Sequence, residues 1–187
     1  HEMYLRLSHA GTMYHIKSSE RDPQALAEYS RAITIAKDLD DHMSILRASG
    51  GITAIHTMNA DYIEAIKVAR QFDDLCGAKL PNAVSRMLSH NLHYIGDFDG
   101  AMRHANIALE MAKAGVRGTL NNGASYDQRL SALSTVVKTL WVQGKLREAM
   151  DRLDSVLAEA VNLDHAISTC LYLAVSACPT AFGMREV

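Results

Sequence analysis

Three histidines pose the first chemical question. His90 and His93 stand three residues apart, so a helix would put them on one face, and His104 falls on what reads as the next helix. Such a trio carries donor atoms suited to a metal ion. No carboxylate or cysteine completes a set at ligand spacing, so the expectation is no metal and no other cofactor. Cys170 and Cys178, eight apart on an apolar stretch, read as packed thiols. Gly50-Gly51 inside a helical pattern is better explained by a close helix crossing than by phosphate binding, because no strand precedes it. His-Glu-x-x-His, paired Cys-x-x-Cys, Gly-x-Ser-x-Gly and the phosphate-cradling Gly-x-x-x-x-Gly-Lys-Ser/Thr are all missing from the chain. No residue is therefore assigned a catalytic role, and the chain is expected not to be an enzyme.

The elements that would position these residues read as helices throughout. Leu133, Val136, Val137, Leu140 and Trp141 recur at helical spacing before Gly144, and Ala149, Met150, Leu153, Val156, Leu157 and Ala160 do so after it. Gly144 can take the positive φ that ends a helix, with Leu146 packing back across the turn. Earlier in the chain, residues 2 to 18 form one helix, and Asp22-Pro23 starts another. Asp40 or Asp41 caps a third, running to about Met58. Asp61 and Glu64 have the spacing of a reciprocal capping box. Pro81 opens the next helix at its first position, and a turn at Gly96 leads into the one that carries Met102, Ala105 and Leu109. Gly115 to Asp127 reads as loop, and a last helix runs from about Asp164 to Phe182.

Composition agrees with this. Of 187 residues 48% are hydrophobic but only 6% aromatic, Ala is the commonest residue, and there are three prolines, which suits close-packed helices rather than a sheet. A formal net charge of −2 gives no bulk attraction to nucleic acid or an anionic membrane, so no direct nucleic-acid contact is expected. Three unpatterned cysteines point to reduced thiols and a cytoplasmic location. No uninterrupted apolar run of about 18 residues is found, so no membrane span is expected. The chain opens at His1 rather than Met, which makes it read as a piece of a longer protein.

Aligned on their turns, the helices repeat in pairs. Ala149 lies five residues after Gly144, Ala101 five after Gly96 and Ala65 five after Ala60, with Ala25 following Asp22-Pro23 in the same role. A small side chain is needed there for neighbouring helices to approach closely. Gly96-Asp97-Phe98-Asp99-Gly100-Ala101, Ala60-Asp61-Tyr62-Ile63-Glu64-Ala65 and Gly144-Lys145-Leu146-Arg147-Glu148-Ala149 resemble the turn of the tetratricopeptide repeat. The resemblance implies an all-α fold, a right-handed superhelical stack of antiparallel helix pairs, with about nine helices. The units span about 2–38, 40–78, 81–114 and 125–161, with a partial unit 163–187 in which Gly183 is the turn glycine. The steps from Ala25 to Ala65, Ala101 and Ala149, 40, 36 and 48 residues, are longer than the usual 34, and the early aromatic and the late proline are lacking.

A narrower resemblance covers roughly residues 87 to 182. His90, Gly96-Asp97-Phe98, Ala101, His104 and Leu109, then Asp127, Arg129, Leu140-Trp141-Val142-Gln143-Gly144, Ala149, Ala158, His165, Ser168 and Ala177-Cys178-Pro179 are similar to the C-terminal repeat region of bacterial signal-transduction ATPases. In those proteins a winged-helix or nucleotide-cyclase domain and a P-loop ATPase precede the repeats. The resemblance implies a non-catalytic interaction and sensing module of an ATP-dependent transcriptional regulator, with the neighbouring ATPase of the same chain as one partner. The alternative is a generic adaptor of the tetratricopeptide type.

In such a stack the first helix of each pair lines an inner groove. Counting back from the turns places Tyr14 and Lys17 there, then Arg47, then Arg86, His90, His93 and Tyr94, and lastly Ser134, Lys138 and Trp141. Basic and aromatic side chains in a net-negative chain suit an acidic protein segment or a small anionic effector. Arg86 and Lys138 would be charge partners and Trp141 a flat apolar wall. The same spacing also fits a solvated face, with Trp141 buried between helices. An open end after Gly183 would let two copies pair into a homodimer.

Overall fold

A computed structural model of the chain describes residues 1–16, 23–80, 83–113 and 127–184, and every element within them is helical. The helices are α1 (Glu2–Ile16), α2 (Pro23–Asp38), α3 (His42–Met58), α4 (Tyr62–Cys76), α5 (Ser85–Tyr94), α6 (Phe98–Lys113), α7 (Gln128–Val142) and α8 (Leu146–Asn162). The last rod is α9 (Ala166–Tyr172), a π-helical turn Leu173–Ala177 and α10 (Cys178–Met184), running on without a break. Lys17, Asp22, Pro81, most of the Asn/Gly loop and the side chain of Tyr14 lie outside the described residues.

One turn geometry joins most of these helices. Asp40, Ala60, Gly96, Gly144 and Asp164 have φ of 53°, 59°, 84°, 75° and 50°. After each of the first four, the next amide reaches back five residues: Asp41 to Ala36 O (2.9 Å), Asp61 to His56 O (2.9 Å), Asp97 to Leu92 O (3.0 Å) and Lys145 to Leu140 O (3.0 Å). This double closure satisfies carbonyls that the helix end would otherwise leave bare. It recurs at glycine and non-glycine alike, so the turn belongs to the repeat rather than to Gly144. Leu146, expected to fold over that turn, is exposed.

The next helix is then capped. Asp41 accepts from the Ser44 amide at 3.0 Å, Asp97 from Gly100 at 2.9 Å and Asp127 from Leu130 at 2.9 Å. The capping box expected at Asp61 and Glu64 does not form. The Asp61 carboxylate turns instead toward His56, 3.6 Å away, and Glu64 pairs with Lys67 at 2.6 Å. Helix α5 begins at Ser85, and the Ala83 amide donates to Leu80 O at 3.2 Å; the helix start expected at Pro81 lies outside the described residues.

Sequential helices pack against one another, and the first helices of the pairs also touch across pairs: α1 with α3, α3 with α5, α5 with α7, and α7 with α9. Their small residues permit this approach. Ser49 and Thr53 of α3, Ser85 and Ser89 of α5, and Ser134, Thr135 and Thr139 of α7 are buried. Gly51 carries the Tyr29 ring directly on its Cα, where a Cβ would lie 2.3 Å from the ring, so the Gly-Gly pair is the close crossing its context suggested. On the second helices, Ala65 and Ala69, Ala101 and Ala105, and Ala149 and Ala160 face inward. One apolar core runs from Met3 to Ala101, and a second joins Leu130, Leu133 and Val137 to Leu153, Val156, Tyr172 and Ala177.

The last rod corrects two expectations. Gly183 is helical and not a turn residue; a Cβ there would lie 2.4 Å from Trp141 Cζ2, so it is the seat of the indole. The 18 residues Ala166–Gly183, with mean hydropathy 1.4, are also long and apolar enough to cross a membrane by length and composition. Ser168, Thr169, Ser176 and Thr180 interrupt the apolar run without lowering its average below that mark. Ser168, Ser176 and Thr180 are buried, and Ser176 Oγ donates to Ser134 O at 3.3 Å.

Candidate functional site

The junction of α5 and α7 gathers most of the basic and aromatic candidates around one ring. Tyr94 stacks on Tyr62 of α4, centroids 4.7 Å apart and planes 10° from parallel. Lys138 Nζ of α7 lies 4.6 Å from the centroid of the Tyr94 ring and donates to Tyr94 Oη at 3.1 Å. His90 and His93 meet the ring edge-on, each at 5.1 Å. These contacts follow from α5 presenting residues one turn apart to α7 on one side and α4 on the other.

The groove expectation needs three corrections here. Lys138 is 5% exposed rather than solvated, with its Nζ turned to Tyr94. His93 is buried, with Nδ1 2.9 Å from Thr139 Oγ1 of α7, so it ties two helices together. Trp141 is not an open wall, because Gly183 of α10 lies against it and the apolar group of Ala105, Val136, Leu140 and Ala149 takes its other contacts. Arg86 and His90 are half-buried, Tyr94 and Arg47 are exposed, and Ser134 is buried.

A repeated contact underlies this. Thr57, His93 and Trp141 each stand three residues before the turn residue of their pair. Thr57 Oγ1 donates to Asn91 Oδ1 at 2.9 Å, His93 meets Thr139, and Trp141 meets Gly183. Asn91 and Thr139 in turn stand five residues before the next turn residue. The partner shrinks as the incoming side chain grows, from Thr on Asn to Trp on Gly. Aligning the pairs on Ala60, Gly96 and Gly144 could have revealed this equivalence; which side chain faces which could not be read from spacing alone.

Electrostatically the cluster is basic and dry. Burial lowers Lys138 from 10.5 to about 8, and burial with Lys138 nearby lowers His93 to about 4. Burial, then Lys138 and Arg86, hold His90 well below the usual imidazole range. Burial and then the neighbouring Tyr62 raise the Tyr94 phenol. Among the described residues no carboxylate lies within 4.0 Å of Lys138 Nζ.

The three histidines do not converge. His104 sits apart, with Nδ1 3.4 Å from Ser85 Oγ, and among the described residues no three His, Cys, Asp or Glu side chains come together as metal ligands. Cys170 and Cys178 are exposed rather than packed, while Cys76 is buried with its thiol pushed up by burial. No protein-family model matches this chain, and no curated protein matches it either.

Proposed function

We propose that this chain is a non-catalytic interaction and sensing module in the cytoplasm, the regulatory repeat region of an ATP-dependent bacterial transcriptional regulator. The observation that carries the reading is the Lys138–Tyr94 cluster at the α5–α7 junction, whose parts come from two separate helix pairs. A ligand or protein segment seated there depends on how the pairs sit relative to each other, and so biases that placement. In a right-handed superhelical stack of such pairs, a small change at one junction alters the curvature offered to the neighbouring ATPase. The contacts between successive first helices, α1–α3 through α7–α9, support the stack. The module touches no nucleic acid itself. Ile167, Cys170, Cys178 and Phe182, exposed on the last rod, are the surface through which two copies pair.

Exposed Met58, Ile63, Tyr94 and Ile95 at two neighbouring turns favour the second reading, an adaptor of the tetratricopeptide type that holds a protein partner. The coding sequence upstream of His1 separates the two. A P-loop ATPase preceded by a winged-helix or cyclase domain is expected there for the regulator; a reading frame without a P-loop would remove that reading and leave the adaptor.

A further inference from the structure

Lys138 is the unusual group in this fold. Its ammonium has three N–H donors, of which one reaches Tyr94 Oη and the charge rests on the Tyr94 ring face. Tyr62 stacks on that ring, so the ring cannot swing away without breaking the stack. The α9–α10 rod, which packs on α7, contains no Lys, Arg, His, Asp or Glu. From α5 the groups facing the site are His90, His93 and Tyr94 with Arg86 beyond them, and from α4 Tyr62. The other two helices packed on α7 carry charge of both signs, Asp99, Arg103, His104, Glu110 and Lys113 on α6 and Arg147, Glu148, Asp151, Arg152, Asp154 and Glu159 on α8, but none of their carboxylates lies within 4.0 Å of Lys138 Nζ. His90 stands six residues before Gly96 as Lys138 stands six before Gly144, so the two basic groups hold matching positions on adjacent helices. The junction reaches the surface at half-buried His90 and exposed Tyr94.

Resting on the sensing-module reading, we propose that this junction binds one small oxygen anion, a carboxylate or a phosphate, on Lys138 Nζ with His90 beside it. The anion supplies the counter-charge that no carboxylate among the described residues brings within ion-pair distance of Lys138. It must be small, because the nitrogen is nearly sealed by Tyr94 and the α7 packing. Binding favours the charged forms of Lys138 and His90, so it takes up protons and strengthens as pH falls toward neutrality.

The whole chain with 13C-methylated lysines allows the Lys138 signal to be followed by NMR while sodium acetate, inorganic phosphate or a peptide with a single Glu is added. The free chain is expected to show Lys138 titrating near 8, well apart from the surface lysines. At least one probe is expected to shift that signal saturably, to raise its midpoint, and to bind about tenfold more weakly for each pH unit above the free-chain midpoint. Response to acetate identifies a free acid, to phosphate a phosphoryl group, and to the peptide alone a carboxylate presented by a protein. Lys138→Met should abolish the binding while Lys145→Met leaves it unchanged. A Lys138 signal that none of the probes moves, measured in the unaltered chain, would overturn the site, as would undiminished binding by folded Lys138→Met. Either result leaves the regulator reading to stand or fall on the upstream coding sequence.

Discussion

Ala60 holds a backbone conformation at φ 59° that glycine adopts freely and a residue with a Cβ does not. Gly96 and Gly144 fill the same place in the later turns, and a Cβ at Gly144 would meet nothing within 4 Å. The difference between the positions is therefore conformational and not steric. Ala60→Gly is expected to stabilise the chain by about 1 kcal/mol, and Gly144→Ala to destabilise it by roughly the same amount, as read from urea midpoints. Opposite signs at two equivalent positions would show that one turn geometry runs through the repeat. Much of this was legible in the sequence, because Gly, Asp and Asn punctuate helices by local chemistry. Lys138 was legible only in part: helical spacing placed it on the groove-facing side of its helix, but whether that side was open groove or junction depended on Tyr94, 44 positions away.

At the scale of the elements, the contact between α7 and α10 shows where alignment by turn residues fails. Gly183 matched a turn glycine in sequence, yet it serves as the flat spot under Trp141. A π-helical turn at Leu173–Ala177 adds a residue to that rod and moves its register relative to the earlier first helices. Periodicity reports a helix and its apolar stripe but not an inserted residue, so the seat of the indole was invisible beforehand. Gly183→Ala puts a methyl group within 2.4 Å of Trp141 Cζ2 and forces the ring or the rod to move. The expected cost is about 1 to 3 kcal/mol, with a shift of the emission of Trp141, the single tryptophan of the chain. Unchanged emission and stability would mean that α10 does not pack there.

For the molecule as a whole, the buried basic groups set the pH response. His93 binds its proton more weakly in the fold, with a midpoint near 4 against 6.5 unfolded, so the unfolded chain takes up more protons across that window. Its contribution is complete above pH 6.5 and is lost as pH falls toward 4, by roughly 3 kcal/mol if His93 acts alone. His90, lowered in the same direction, adds to the loss. Thermal unfolding followed from pH 7 to 4 should show this fall, and His93→Gln should flatten it.

On the alkaline side the sign is the same. The folded chain binds fewer protons than the unfolded one between about 8 and 10.5, so stability rises through that range, where Lys138 is neutral in the fold and still charged in the unfolded chain. At neutral pH, then, burying the charge of Lys138 costs stability, which an apolar side chain of similar length would not. A charge that costs stability at a junction of two helix pairs is what the proposed anion site requires. The direct measurement is the urea unfolding free energy of Lys138→Met against the unaltered chain at pH 7. The account predicts that the substitution stabilises by roughly 1 to 3 kcal/mol, the release of a buried charge less one hydrogen bond to Tyr94. A loss of stability of that size would contradict it, and would make Lys138 a structural member of the α5–α7 packing.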